Sequence, residues 1–377
     1  MKHHNLLIRI IMLLSVIFAN NMTTPRPIEA ATATMIVSGQ SHSCALMSGQ
    51  VWCWGDNSKY QLGNGTNVKS LGATRVKMVN GTYLSNVSRI TIDTLDRNGT
   101  CAIRYTSIYC WGEDKTYATP ILNDNGTIFT GVSKLVVGST VYCVLKNAQV
   151  LCWNKNSTPS SAQLVKTKSA ILSNVSDFQG ALNHFCALVN QSVWCWGDES
   201  LGSGTVDTSR SYADRVQVST GGYLQNVKLI SVSGVNACAV TNNNLVLCWG
   251  ENDDFESCIS GVSYLYKATK TSDVCQSKTT IRKLSSGYFH TCTVANGVYC
   301  WGYSKYKQTY PSWGWTKFVN TKVLDVGLGT HHTCATKIDE VWCWGINDEG
   351  QLGDGTVNSI QPQPASRVIY SNYRPFR

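Results

Sequence analysis

A pair of cysteines with a tryptophan directly after the second recurs seven times, and few folds accommodate such a repeat. The first cysteines are Cys44, Cys101, Cys143, Cys186, Cys238, Cys292 and Cys334; the second are Cys53, Cys110, Cys152, Cys195, Cys248, Cys300 and Cys343. Eight residues separate the partners in five copies, nine in the fifth and seven in the sixth. Copies follow one another at 42 to 57 residues, the range in which propeller blades succeed each other.

Each copy holds two short apolar runs around a turn such as Ser48-Gly49, Asn190-Gln191 or Asn296-Gly297, which signals a hairpin. Val or Ile stands two before the second cysteine (Val51, Ile108, Val150, Val193, Val246, Val298, Val341). A bulky residue stands one before it (Trp52, Tyr109, Leu151, Trp194, Leu247, Tyr299, Trp342), and Trp one after (Trp54, Trp111, Trp153, Trp196, Trp249, Trp301, Trp344). Side chains alternate across a strand, so both faces of this one are apolar. Neighbouring blades cover both faces in a propeller, and closing the ring protects the sheet edges. The pattern predicts an all-β fold, a seven-bladed β-propeller with four-stranded blades over residues 31–370 and a loose tail at 371–377. Outer strands are expected from Thr74–Met78, Ala213–Val218 and Ser366–Tyr370.

The paired cysteines lie on opposite arms of a short hairpin, within reach of each other if they share a face. Each blade is therefore expected to close its own bridge: Cys44–Cys53, Cys101–Cys110, Cys143–Cys152, Cys186–Cys195, Cys238–Cys248, Cys292–Cys300 and Cys334–Cys343. Closing a loop of about ten residues stabilises a blade by roughly 2–3 kcal/mol on the chain-entropy account. Cys258 and Cys275, in an insert after the fifth hairpin, complete the sixteen cysteines and predict an eighth bridge. No Cys-x-x-Cys occurs, and zinc would have to draw separate hairpins together, so neither a metal nor a cofactor is expected.

An even count of locally paired cysteines fits an oxidising compartment. Residues 1–20 have a basic start and a short apolar run, the pattern of a secretory signal peptide, with 21–30 a short segment before the first blade. Removing 1–20 takes away Lys2 and Arg9 and no acid, so the formal charge falls from +9 to +7. No later stretch is apolar enough to span a bilayer, and the mature chain is expected outside the cell, or in a periplasm, without membrane insertion. Nine Asn-x-Ser/Thr triplets begin at Asn21, Asn64, Asn80, Asn86, Asn98, Asn125, Asn156, Asn174 and Asn190; they are glycan acceptors in a eukaryotic secretory route and ordinary turn chemistry otherwise.

After each return strand the chain varies, and acids gather there: Asp56, Glu113-Asp114, Asp198-Glu199, Glu251 with Asp253 and Asp254, and Asp348-Glu349. Because the position recurs, these loops should share one side of the ring. They serve either as capped, soluble turns or as a recognition rim. Two departures from the repeat are stronger binding candidates. One is the stapled insert with Tyr264 and Tyr266; the other is Tyr310-Pro-Ser-Trp-Gly-Trp-Thr-Lys317, which adds Trp313 and Trp315 as interface anchors or sugar platforms. His42, His184, His290 and His332 recur two before the first cysteine. They are read as ties from each strand to a backbone carbonyl in the next turn rather than as a metal ring. His331, outside that pattern, is expected to face solvent.

Gly-x-x-His-x-Cys-Ala-Leu, Val-x-Cys-Trp-Gly-x-Asn and Gly-Gln-Leu-Gly-x-Gly-Thr, most faithful in the first and last copies, together resemble the repeat of the regulator of chromosome condensation family. The likeness covers roughly residues 30–370. The paired cysteines are similar to those of secreted bacterial members that inhibit β-lactamase and of plant receptor-kinase ectodomains. The resemblance implies a seven-bladed propeller. Across the family it implies a mix of roles: nucleotide exchange on a small GTPase at nucleosomes, enzyme inhibition, light sensing and ectodomain recognition. Export and bridges set the nuclear role aside. The tryptophans follow blade periodicity, so they are read as packing. No Gly-x-Ser-x-Gly, His-Glu-x-x-His or Gly-x-x-x-x-Gly-Lys-Ser/Thr occurs, and no Lys/Arg stripe with interleaved aromatics marks a nucleic-acid groove. The expectation is a non-enzymatic exported propeller that holds an extracellular or cell-surface protein through one face and its variable loops, with a lectin-like module as the alternative and a propeller enzyme behind both.

Overall fold

The computed structural model describes residues 32–93, 99–198, 201–205, 209–309, 323–338, 340–358 and 366–370. They form seven antiparallel sheets arranged as blades spanning 33–75, 87–120, 134–164, 175–215, 227–270, 283–302 and 325–367. Six sheets show four strands. Blade 6 shows three among the described residues, and the expectation of a fourth falls on residues outside them. In blade 1 the strands are Ala33–Ser38, His42–Met47, Gln50–Gly55 and Ser70–Arg75, paired in chain order.

The hairpin positions behave as their residue types require. At the turn between the second and third strands, Ser48 and Gly49 have φ of 46° and 74°, the double left-handed geometry whose twist matches a tight hairpin. The return strand is buried on both faces: Val51, Trp52, Cys53 and Trp54 are each at most 3% exposed. Cys44 and Cys53 face each other in register, and all eight expected bridges are present, with no free cysteine among the described residues.

The outer strands begin earlier than expected, at Ser70 and Arg210, and end at Arg75 and Arg215. The last spans only Ser366–Arg367. Each rejoins its sheet as soon as the preceding loop closes, with Ser70 opposite Gly55 and Arg210 opposite Gly197. Beyond Val76 the chain has already left for the next blade, where Met78 bridges Ala118.

Closure of the ring relies on contacts between complete blades rather than on a strand shared between the ends. Asp325 Oδ2 accepts the Ile36 N–H at 3.1 Å, Gly39 O accepts the Thr330 N–H at 3.3 Å, and Ile369 O accepts the Ala73 N–H at 2.7 Å. The innermost strands line an axial cavity of about 190 Å³. No helix among the described residues is long and apolar enough to cross a membrane.

Candidate binding face

Antiparallel strands in chain order sort the connections onto two sides. The turn between first and second strands and the loop between third and outer strands leave together on what we call the loop side. The hairpin turns and the blade-to-blade connections leave on the other, the hairpin side. Asp56, Glu113, Asp198, Glu251, Asp348 and Glu349 all fall on the loop side, while Glu199 lies outside the described residues.

The glycine-rich loops are built by their side chains. In blade 1 Asn57 Oδ1 accepts the Leu62 N–H at 3.0 Å, and Asn57 Nδ2 donates to Thr66 O at 2.6 Å. Asn347 does the same in blade 7 with Leu352 and Thr356. Gln61 accepts from Lys59 N and donates to Asp56, and Gln351 accepts from Glu349 N and donates to Asp348. Part of the acidity of Asp56 and Asp348 is therefore spent on loop shape. Glu349 is paired with Lys69 at 2.7 Å, and Asp198 remains exposed.

Each such loop caps the next blade. Trp111, Trp301, Trp344 and Trp54 donate their indole N–H to the carbonyls of Gln61, Glu256, Gln308 and Gln351 of the preceding blade, at 2.8–2.9 Å. A Cβ on Gly353, where φ is +67°, would sit 2.6 Å from Trp54 Cδ1. The glycine is required because the backbone lies directly on the indole. The tryptophans are thus inter-blade packing, as their periodicity indicated.

The repeated histidines are buried; His184 bonds the backbone of Ser233, as expected, but the partners of the other three differ from the expected backbone carbonyls. His42 Nε2 meets Thr100 Oγ1 at 2.8 Å, His290 Nε2 meets Thr333 Oγ1 at 2.8 Å, and His332 Nε2 meets Ser43 Oγ at 2.7 Å. In each case the hydroxyl belongs to the next blade, one residue before its first cysteine. Strand register places it there, and the expectation from one hairpin alone missed it. Burial lowers all four histidines, His42 and His184 to about 4 and His290 and His332 to about 3, so they are neutral at physiological pH. His184 approaches Cys186 and Cys195 within 4.8 Å, but those sulfurs are bridged to each other and offer no thiolate to a metal.

Blade 2 carries Gly99 where blade 1 has His42. The freed space holds the Glu113 side chain, and a Cβ on Gly99 would lie 3.0 Å from its Oε1. Lys155 of blade 3 reaches across to Glu113 at 3.0 Å and Asp93 at 2.9 Å, with Lys155 and Asp93 side chains only 3% and 2% exposed.

Blades 6 and 7 present a different surface on the loop side. The backbone bonds Asp56 N to Ser41 O, Lys155 N to Thr140 O, Asp198 N to Asn183 O, Tyr303 N to Phe289 O and Ile346 N to His331 O mark equivalent positions. All six of those residues in blades 1, 3 and 4 are polar or charged; in blade 6 both are aromatic. Phe289 stacks on His331 with ring centroids 5.3 Å apart and planes at 9°, and Tyr288, Tyr303 and Tyr306 join the cluster. His331 is half-buried, not solvent-facing, because these rings cover it, and burial lowers its pKa. The signal was present in Tyr288-Phe289 and Tyr303, aromatics at repeat positions that hold polar residues in blades 1, 3 and 4.

Beside this cluster lies a cavity of about 540 Å³ lined by Phe255, Val274, Trp301, Tyr303, Thr309 and the Cys258–Cys275 bridge. The bridge staples the loop to the chain just beyond the strand Tyr264–Lys270, so Tyr264 and Tyr266 belong to the outer strand of blade 5, ring to ring at 4.8 Å. Glu256, 2% exposed, takes the place held by Gln in blades 1, 6 and 7, and burial raises it to about 7. Trp313 and Trp315 lie outside the described residues.

Comparison with known proteins agrees with this geometry. The sequence pattern of the Regulator of chromosome condensation (RCC1) repeat matches residues 36–61. Human E3 ubiquitin-protein ligase HERC2 is 56% identical over 41 residues, 11% of this chain and 1% of that protein, so the chain spans a very small part of the curated relative. Yeast RCC1 (Prp20), solved with Kap60 bound, superposes with a TM-score of 0.67 at 16% identity over 93% of this chain and 90% of that one. The ectodomain of the Physcomitrella patens receptor kinase CR4 superposes with a TM-score of 0.50 at 19% identity over 82% and 72%. These define the class: a cysteine-rich propeller related in fold to RCC1, with RCC1-type repeat sequence at its start.

Proposed function

We propose that this is an exported, non-enzymatic recognition propeller that holds a protein partner on its loop side, in the sector of blades 5 to 7. The observation that carries this reading is the replacement of polar rim residues by the Phe289, Tyr303, Tyr306 and His331 cluster, flanked by Glu251 and Asp348. Large rigid rings bordered by charge are the composition of interface anchors. Export rests on the eight disulfides and on the leader pattern of residues 1–20. All nine Asn-x-Ser/Thr triplets begin at or before Asn190, and none lies in blades 5 to 7. Trp313 and Trp315 stay candidates by residue type and by following Thr309 in the chain, and Tyr264, Tyr266, Asp56, Asp198 and Glu199 as outlying contacts.

The test is crosslinking of the secreted protein in its own extracellular medium, wild type beside Phe289→Ala with Tyr306→Ala. A protein partner captured by wild type and reduced at least about tenfold by the variant supports the reading, since paired anchor truncations cost about 2 kcal/mol or more. Equal capture by both rejects this sector. Selective retention on a glycan array, lost in the same variant, would favour the lectin alternative.

A further inference from the structure

Among the described residues, cations without a carboxylate partner lie on both sides of the ring, Lys59, Lys115, Lys305 and Lys307 among them on the loop side, but the two sides differ in the acids set beside them. On the hairpin side Arg89, Arg104, Lys146, Lys166, Arg282 and Lys337 have no carboxylate within ion-pair distance among the described residues. Most acids there are ion-paired: Asp177 with Lys134, Asp325 with Lys283 at 2.8 Å, and Glu340 with Arg367 at 3.4 Å, while Asp124 is held by the Thr158 and Ser160 hydroxyls. The loop side carries more of the acids, among them Asp56, Asp198, Asp253, Asp254 and Asp348.

The hairpin side also carries exposed apolar side chains. Tyr105 and Ile338, at hairpin tips, are 65% and 54% exposed, and Tyr83, Leu122, Ile128 and Tyr223, in the blade connections, are 41–48% exposed. Backbone bonds join tips and connections into one surface: Val87 N to Gly49 O, Tyr105 N to Asn86 O, Val132 N to Thr106 O, Val175 N to Ala148 O and Val227 N to Gln191 O. Cations are set against the rings, with Arg104 over Tyr105 and Tyr109, Lys146 over Phe129 and Lys337 over Trp342.

A soluble polyanion would engage the cations and leave Leu122, Ile128 and Ile338 in water. An anionic bilayer engages both, because headgroup charge attracts Lys and Arg while tyrosyl and aliphatic side chains enter the interface. We propose that the hairpin side docks on an anionic lipid surface, which would turn the loop side outward.

The full secreted chain is floated with vesicles of phosphatidylserine and phosphatidylcholine, and with phosphatidylcholine alone. Binding is expected to the anionic vesicles only. Lys146→Glu with Lys337→Glu should reduce it at least about tenfold, and so should Tyr105→Ser with Ile338→Ser, at exposed positions that leave the circular dichroism spectrum unchanged. Absence of binding to anionic vesicles overturns the proposal. So does binding that appears only after enzymatic removal of glycans, since Asn80, Asn86, Asn125, Asn174 and Asn190 lie on this side. Loss on charge reversal without loss in the apolar variant, together with retention on a heparin column, identifies a polyanion site and also overturns it.

Discussion

The junction between blades 7 and 1 and the junction between blades 2 and 3 solve one problem in two chemistries. Neighbouring blades must bury polar groups where their second strands meet. At the first junction a neutral imidazole, His332, bonds the Ser43 hydroxyl at 2.7 Å. At the second, where Gly99 removes the imidazole, a lysine lies between two carboxylates. The repeat fixes a place for a polar link and leaves its chemistry open. The neutral link tolerates salt and fails in acid. The ionic link carries a desolvation cost and depends on every member being present.

The largest effect is expected at the ionic junction. Lys155→Met should cost about 3–5 kcal/mol in urea unfolding, because it takes the ammonium from carboxylates held out of water. A loss below about 1 kcal/mol would show that water enters the junction and that the triad resembles a surface pair.

Acid should weaken the neutral junctions next. His42, His184, His290 and His332 have folded pKa values below the ordinary 6.5, so below pH 6.5 the unfolded chain binds protons that the folded chain refuses. Their stabilisation is complete above 6.5 and declines as pH falls toward 3–4. For His42 alone it amounts to about 3 kcal/mol by pH 4. Replacing His42 with Gln should flatten the unfolding free energy measured from pH 6.5 to 4 by that one proton. An unchanged slope would mean that His42 titrates alike in both states.

The smallest effect is expected from the partner hydroxyl. Thr100→Val preserves shape and leaves His42 Nε2 without its 2.8 Å partner, which should cost about 1–2 kcal/mol. A stabilising result would place water within reach of that imidazole.

Much of the blade was legible from residues alone. Cys44 and Cys53 sit on opposite arms of one short hairpin, within reach of each other, and Val51, Trp52 and Trp54 announce a strand buried on both faces. The start of the outer strand at Ser70 is not legible in its residues, because it depends on how the Asn57 loop closes beside Gly55. His331 was misplaced because its cover comes from Phe289 and Tyr306, more than twenty residues away in another blade. The pairing of His332 with Ser43 spans 289 residues and has no local signal at all.

By itself the sequence determined seven hairpins, their own bridges and the tryptophan that each blade lends to its neighbour, since these rest on local spacing and the alternation of a strand. Tertiary structure alone decided which residues became neighbours across junctions, how the blade 6 aromatics close over His331, and which side of the ring gathers most of the acids. Those outcomes depend on which end of each strand faces which side. Only the closed ring sets that direction, by bringing segments far apart in the chain to the same surface.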